Sequence, residues 1–107
     1  RKDHEMYGTV AQMKIKPGHE QKLIDLSNEW TDARGMATGQ IAEYVYKLDC
    51  GSNIYLLVAV FADRDSYVRN AADPETDRWY RQLREHLEED PEWNDGEIIQ
   101  SRVVQPA

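Results

Sequence analysis

Polar and apolar residues alternate through the first part of the chain. Within residues 7–16 every second position forms the expected core face: Tyr7, Thr9, Ala11, Met13 and Ile15. A period of two residues is typical of a strand with one buried face. Pro17 and Gly18 then predict a turn.

The spacing of apolar residues changes at about residue 19. Leu23, Leu26 and Trp30 lie on one side of a helix predicted over residues 19–30. Residues 31–39 show no periodicity and contain two glycines. They therefore predict a loop.

Two further strands are predicted in the middle of the chain, over residues 40–48 and 54–61. Residues 49–53 between them have the composition of a turn, so the strands should form a hairpin. The second strand is apolar at every position. A strand of an antiparallel sheet with one wet face would alternate, so both faces of this strand must be covered.

The second half of the chain predicts two helices and a strand. Asp63 or Asp65 should cap a short helix over residues 65–71. A longer helix should begin after Asp73 and Pro74 and run to about Glu88. Its apolar stripe contains these residues: Trp79, Tyr80, Leu83, His86 and Leu87. Residues 92–96 predict a turn, and residues 97–104 predict the last strand.

The predicted element order is β-α-β-β-α-α-β, an α+β arrangement. It corresponds to a ferredoxin-like fold with a four-stranded antiparallel sheet and helices on one face. The chain has no further element to cover the other face of the sheet. Exposing it would cost several kcal/mol at about 25 cal/mol per Å². We therefore expect a homodimer through the sheet face, which gives a dimeric α/β barrel.

Length and charge limit the classes of partner. The chain has 107 residues, and we expect one domain over residues 6–107 with a polar N-terminal extension over residues 1–5. The net charge of −7 argues against nucleic acid and anionic membranes as partners. No apolar run is long enough to span a membrane. The single cysteine, Cys50, fits a reducing compartment and a cytoplasmic location.

Two segments carry a resemblance to a known family. The sequence MYGTVAQMKIKPG over residues 6–18, and VFADRDSYVRNAADPETDRWYRQLREHLEEDPEWNDGEI over residues 60–98, resemble the antibiotic biosynthesis monooxygenase-like family. The resemblance covers residues 6–104 and implies dimeric α/β barrels with ferredoxin-like protomers. The family includes cofactor-independent quinone-forming monooxygenases and haem-degrading enzymes, along with many members of no known activity.

The resemblance to the quinone-forming members implies a pocket after the third strand. It points to Asn70 and Arg84 as candidate catalytic residues, and to Trp79 and Tyr80 as substrate-binding walls. His86 is a further catalytic candidate because it lies two helical turns after Trp79, so both can share one helix face. His86 or a tyrosine would handle the proton. An ordinary structural role is the alternative for each, with Arg84 paired to Glu88 and His86 at the edge of the core.

The middle strands add polar and aromatic candidates. Tyr44 and Tyr46 point the same way and either line a substrate-binding cavity or pack in a dimer core. Gln12 and Glu43 are polar on otherwise apolar strands. Either could act as a pocket acceptor or base, or simply face water.

Metal and haem binding are not expected. The three histidines, His4, His19 and His86, lack the spacing of metal ligands, and Cys50 has no partner cysteine. The haem-degrading branch carries an asparagine on its first strand, where this chain has Thr9 and Gln12. Its spacing between tryptophan and histidine also differs. Nucleotide-binding motifs are absent, and we expect no cofactor.

The sequence therefore favours a cofactor-independent monooxygenase-like protein that acts on a small aromatic or polyketide-like compound. Deprotonated phenols and anthrones react with oxygen directly, so such an enzyme needs only to bind the compound, remove a proton and stabilise the anion. Two alternatives remain open. One is a non-catalytic small-molecule-binding or stress-response module, and the other is a small isomerase or decarboxylase that uses the same pocket.

Overall fold

A computed structural model describes residues 6–34, 38–49 and 53–104. Its elements, in chain order, are β1 (Met6–Lys14), α1 (Glu20–Arg34), β2 (Gln40–Lys47), β3 (Ile54–Phe61), α2 (Arg64–Ala72), α3 (Pro74–Arg84) and β4 (Glu92–Ile98). Residues 1–5 and Cys50 lie outside the described residues.

The four strands form one antiparallel sheet in the order β2-β3-β1-β4. This order places the first and third strands at the centre, as in the predicted ferredoxin-like arrangement. The ferredoxin-like α+β fold is therefore confirmed.

The core lies between the helices and one face of the sheet. Its buried residues come from β1 and the residue after it, from β3, α1 and α3, and from the turn after α3: Ala11, Met13, Ile15, Leu23, Tyr55, Leu57, Leu83 and Leu87. The predicted core face of the first strand is thus largely confirmed. Leu26, Trp79 and Tyr80 pack against this cluster and are partly buried.

The other face of the sheet has no helix against it among the described residues. Cross-strand partners share a face, so the pairing of Val10 with Val58, and of Val58 with Tyr44, places all three there. Val10 is 38% exposed and Tyr44 is 60% exposed. This apolar surface, which we call the open face, corresponds to the one that the sequence assigns to a dimer.

The caps of α2 and α3 follow the sequence closely. The Asp63 carboxylate accepts a hydrogen bond from the backbone N–H of Ser66 at 2.7 Å. The Asp73 carboxylate accepts one from the N–H of Glu75 at 2.8 Å, and Pro74 occupies the first turn of α3. At both helix starts an aspartate accepts a hydrogen bond from a backbone N–H group, as expected. Pro74 has no N–H group that would need a partner at the start of α3.

Three predicted boundaries are wrong. Helix α1 continues to Arg34 instead of ending at 30, and α3 ends at Arg84 instead of about Glu88. The last strand covers 92–98, the region predicted as a turn, and residues 99–104 form no ladder. An edge strand tolerates the polar sequence EWNDGEI because only one of its sides must pair, and here it pairs with β1 from Met6 to Gln12.

Candidate functional site

One row of residues crosses the sheet on its helix-facing side. The row runs from Asp95 on β4 through Thr9 on β1 and Ala59 on β3 to Glu43 on β2. Three strand spacings separate its ends, about 14 Å. The two middle residues are small and the two outer residues are carboxylates. The row therefore leaves space above its centre and places an acidic group on each side.

A cavity of about 400 Å³ occupies this space. Its walls come from all three helices and all four strands, including Thr9 and Ala59 from the row. Six of its side chains are aromatic: Trp30, Phe61, Tyr67, Trp79, Tyr80 and Trp93. A concave, mainly apolar site with a few convergent polar groups is typical of small-molecule binding.

Glu43 is the partly buried carboxyl group of the cavity. Its Oε1 accepts hydrogen bonds from the hydroxyls of Ser27 at 2.6 Å and Thr31 at 3.4 Å, both on α1. Burial raises the pKa of Glu43 above its ordinary value, and these two hydrogen bonds offset part of that effect. A carboxyl group with a raised pKa is a better proton acceptor once it is ionised.

Tyr67 and Asp95 form the opposite end of the cavity. The Tyr67 hydroxyl donates to Oδ1 of Asp95 at 2.8 Å. Burial raises the pKa of Tyr67, and the bond to Asp95 raises it further, so the phenol stays protonated. The Tyr67 ring also packs against Tyr7 and Phe61 at centroid distances of 5.2 and 5.3 Å.

Two polar atoms of the lining are buried without a well-formed hydrogen bond among the described residues. They are the hydroxyl of Thr9 and Nε1 of Trp79. Thr9 is only 5% exposed. Buried polar groups usually have a partner, so both atoms retain hydrogen-bonding capacity, and the Thr9 hydroxyl also approaches that of Tyr67.

Four of the residues that the sequence offered for the site lie at the cavity: Glu43, Asn70, Trp79 and Tyr80. Oδ1 of Asn70 accepts a hydrogen bond from the hydroxyl of Thr76 at 2.8 Å. This bond fixes the amide and leaves its NH₂ group as a donor. Trp79 packs against Trp30 at a centroid distance of 5.8 Å, and Tyr80 packs against Trp93 at 6.2 Å.

The structure does not bring Arg84 or His86 to this cavity. Nε of Arg84 donates to Asp90 at 2.7 Å, and its Nη1 donates to the carbonyl of Leu87 at 2.9 Å. The alternative pairing of Arg84 with Glu88 is thus also replaced, because α3 ends at Arg84 and the chain turns back toward Asp90.

His86 lies beside His19 instead. Their Nδ1 atoms are 3.0 Å apart and their ring centroids 5.2 Å apart. The pKa of His19 is lowered by burial, then by Lys22, by His86 and by Lys16. The two histidines therefore join the start of α1 to the turn after α3.

Tyr44 and Tyr46 do not line the cavity either. They pair with Val58 and Leu56 on the open face and are 60% and 55% exposed. The sequence left open whether these tyrosines line a cavity or pack in a dimer core. They lie on the face that is expected to contact a second copy.

Several cavity residues were not predicted for the site from the sequence. Trp93 and Asp95 were assigned to a turn, which hid their position on the helix-facing side of β4. Tyr67 and Trp30 drew no functional prediction, although both are aromatic residues on helices that face the sheet. The pairing register of the strands would have revealed the first two.

No group of three or more metal-ligating side chains occurs within residues 6–34, 38–49 and 53–104. In the same part of the chain, no helix combines the length and apolar character needed to cross a membrane.

The fold was compared with known proteins. No protein-family model matches the sequence, and no curated protein sequence matches it. Solved structures do match. A conserved protein from Methanosarcina mazei Go1 has a TM-score of 0.74 at 19% identity, covering 89% of this chain and 94% of that one.

Two further structures carry functional names. SnoaB from Streptomyces nogalater, named a cofactor-independent oxygenase, has a TM-score of 0.68 at 17% identity and covers 96% of this chain and 99% of that one. A Caulobacter crescentus CB15 protein, provisionally named an antibiotic biosynthesis monooxygenase, has a TM-score of 0.76 at 11% identity, covering 92% and 93%. This chain shares their ferredoxin-like fold. At these identities the likeness establishes the fold alone.

Proposed function

We propose that this protein is a cofactor-independent monooxygenase of the antibiotic biosynthesis monooxygenase kind, acting on a small aromatic or polyketide-like compound. The observation that carries the proposal is the partly buried Glu43 carboxyl, with its raised pKa, in an aromatic-lined cavity of about 400 Å³. The fold shared with SnoaB, which is named a cofactor-independent oxygenase, supports the same assignment.

The proposed reaction converts an activated CH₂ group, such as that of an anthrone, into a carbonyl. Glu43 takes a proton from the carbon or from its phenolic tautomer, and the resulting anion gives one electron to oxygen. The substrate radical and superoxide combine to a peroxide, which is protonated and loses water as the C=O bond forms. One CH₂ group and one O₂ thus yield one carbonyl and one water, with all electrons supplied by the substrate.

Donors in the cavity would stabilise the anion. The NH₂ group of Asn70 remains available because its Oδ1 is engaged by Thr76. Nε1 of Trp79 is buried without a partner among the described residues. Donors placed in advance around a developing charge contribute strongly to catalysis. We assign Glu43 as the proton acceptor and Asn70 and Trp79 as the anion-stabilising groups.

The flat walls fit a flat substrate. Trp30 and Trp79 pack beside each other at the cavity, as do Tyr80 and Trp93. Aromatic rings in such pairs leave surfaces on which another ring can stack. The cavity is therefore suited to a small aromatic compound, with Tyr80 and Trp79 as walls.

We also propose that the protein forms a homodimer through the open face. Val10 and Tyr44 on that face are 38% and 60% exposed, whereas Thr9 and Ala11, the inward-facing neighbours of Val10 on β1, are 5% and 0% exposed. A contiguous apolar surface on a small chain usually marks an interaction site. A second copy offers a matching apolar face across a twofold axis.

Oxygen uptake tests the proposed reaction. Purified protein is given a panel of anthrones and dihydroxy-aromatics, and oxygen consumption is followed with an electrode. We expect uptake for at least one compound, with Glu43→Gln reducing the rate by about 100-fold or more, as for the loss of a general base. Arg84→Ala is a matched control outside the cavity and should retain activity.

Two results would contradict the monooxygenase proposal. Binding of these compounds with no oxygen uptake would favour a binding module. Loss of a substrate proton to solvent deuterium, without oxygen uptake, would favour an isomerase or decarboxylase that uses the same carboxyl group. Full activity of Glu43→Gln would overturn the assignment of the proton acceptor.

A further inference from the structure

The charged groups of the cavity all have the same sign. Among the described residues that line it, the ionisable carboxyl groups are Glu43, Asp77 and Asp95, and no lysine, arginine or histidine is present. Arg81 neutralises Asp77 through a bond of 3.0 Å from Nε to Oδ2. Asp95 has only the neutral Tyr67 hydroxyl as a partner among the described residues. The Asp95 end of the cavity is therefore negatively charged.

The aromatic walls favour a ligand of the opposite sign. Three tryptophans line the cavity, Trp30, Trp79 and Trp93, and these are all the tryptophans in the chain. The face of an indole ring attracts a cation, and the attraction grows when water is excluded. Aromatic rings combined with an unneutralised carboxylate form a typical site for an organic ammonium group.

A second feature of the same end also calls for a ligand. Thr9 lies directly across the strand pair from Asp95. Its buried hydroxyl approaches the Tyr67 hydroxyl, which offsets part of the rise in the pKa of Tyr67, but it completes no hydrogen bond among the described residues. At 5% exposure it cannot be satisfied by bulk water. A ligand ammonium group placed between Thr9 and Asp95 would donate an N–H to the hydroxyl oxygen of Thr9. Its positive charge would also balance the Asp95 carboxylate.

We infer that the cavity selects an aromatic ligand that carries a protonated amine, bound at Asp95 and Thr9, and that it rejects carboxylated aromatics. This inference rests on the proposed function in assigning the cavity as the substrate site. It adds the charge of the substrate and its orientation. The amine lies at the β4 end of the row, and the reacting part of the ring lies toward Glu43 at the β2 end.

Calorimetric binding of three matched probes tests the inference without requiring turnover. The probes are 2-naphthylmethylamine, 2-naphthalenemethanol and 2-naphthoate, at pH 7 and about 0.15 M salt, where surface charges beyond about 8 Å are screened. We expect the amine to bind at least about fivefold more tightly than the alcohol. The naphthoate should bind more weakly than the alcohol.

Two isosteric variants locate the effect. Asp95→Asn should reduce the preference for the amine over the alcohol to about twofold or less, and it retains an oxygen for the Tyr67 hydroxyl. Asp90→Asn removes the same charge outside the cavity, where Asp90 pairs with Arg84, and should leave the preference unchanged.

Three results would overturn the inference: naphthoate binding as tightly as the amine, no binding of any probe, or equal effects of the two variants. Because the wild-type ranking is measured first, poor folding of a variant does not remove the test. Failure of the proposed function is distinct. It would appear as absent oxygen uptake, with the order of probe affinities intact.

Discussion

The Ser27 hydroxyl on α1 donates to Oε1 of Glu43 on β2 at 2.6 Å. Thr31, one turn further along the helix, adds a longer bond of 3.4 Å to the same oxygen. Both bonds stabilise the ionised carboxylate, whereas burial favours the neutral acid and has the larger effect. Helix α1 thus sets how readily the proposed base takes up and releases a proton.

Replacement of Ser27 by alanine should raise the pKa of Glu43 further, because the shorter of the two stabilising bonds is lost. The acidic limb of the rate profile against pH should then move to higher pH, while the rate at the alkaline plateau changes little. Oxygen uptake measured across pH detects the shift. Thr31→Val is the matched control and should give a smaller shift, since its bond is longer. Movement toward lower pH would contradict this assignment.

Glu43→Gln should change the pH dependence of stability. The raised pKa means that the folded protein binds this proton more tightly than the unfolded chain, whose value is near 4.5. The contribution of Glu43 to wild-type stability therefore falls as pH rises from about 4.5 through the folded pKa. Glutamine does not titrate. The free energy of unfolding of the variant, relative to that of the wild type, should therefore increase between pH 4 and pH 7 by on the order of 1 kcal/mol. Urea unfolding of both proteins at pH 4 and pH 7 measures this difference. A variant that becomes relatively more stable toward low pH would contradict the prediction.

Much of the fold follows from the chain pattern because burial dictates it locally. The alternation from Tyr7 to Ile15 and the apolar run Ile54–Phe61 gave the two central strands. The Asp73-Pro74 pair gave the start of α3. Because the predicted helices cover only one face of the sheet, an apolar open face could be predicted. Tyr44 and Tyr46 lie on that face.

The site was harder to predict, because its residues meet through sheet register and through the path of the chain after α3. Asp95 reaches the cavity only because β4 pairs with β1. The polar sequence of β4 resembles that of a turn, so this pairing was not predicted. His86 was placed on a helical face with Trp79, but α3 ends at Arg84. The chain then carries His86 to His19 instead of the cavity.

The contact between His19 and His86 predicts that His86 helps to lower the pKa of His19. A hydrogen bond between the Nδ1 atoms, 3.0 Å apart, needs one donor and one acceptor. Burial lowers the pKa of His19 most, followed by Lys22, His86 and Lys16. His86→Gln should therefore raise the pKa of His19 toward 6.5, as followed by NMR of its ring proton. Lys16→Gln should raise it less, and an unchanged pKa of His19 in His86→Gln would refute the effect of His86 on His19.

Two glycines that pair across β1 and β4 should differ in their tolerance of a side chain. A Cβ at Gly8 would overlap the carbonyl oxygen of Ala59, whereas a Cβ at Gly96 meets nothing within 4 Å. Gly8→Ala should destabilise the fold by about 1–3 kcal/mol because backbone on the neighbouring strand must shift. Gly96→Ala should be neutral or slightly stabilising. Urea unfolding of both variants measures the difference, and equal effects would contradict the predicted close approach.

A charge at the centre of the open face should separate the proposed dimer. Val58 pairs with Val10 on one side and Tyr44 on the other, so Val58→Glu would bury a carboxylate among apolar residues of both copies. We expect sedimentation to give a dimer for the wild type and a monomer for this variant. Val68→Glu on α2, a position 46% exposed and away from the sheet, is the control and should remain dimeric. Tyr44→Lys offers a second disruption at a 60% exposed position that folding should tolerate. A monomeric wild type, or dimers of both open-face variants, would show that some other contact covers this surface.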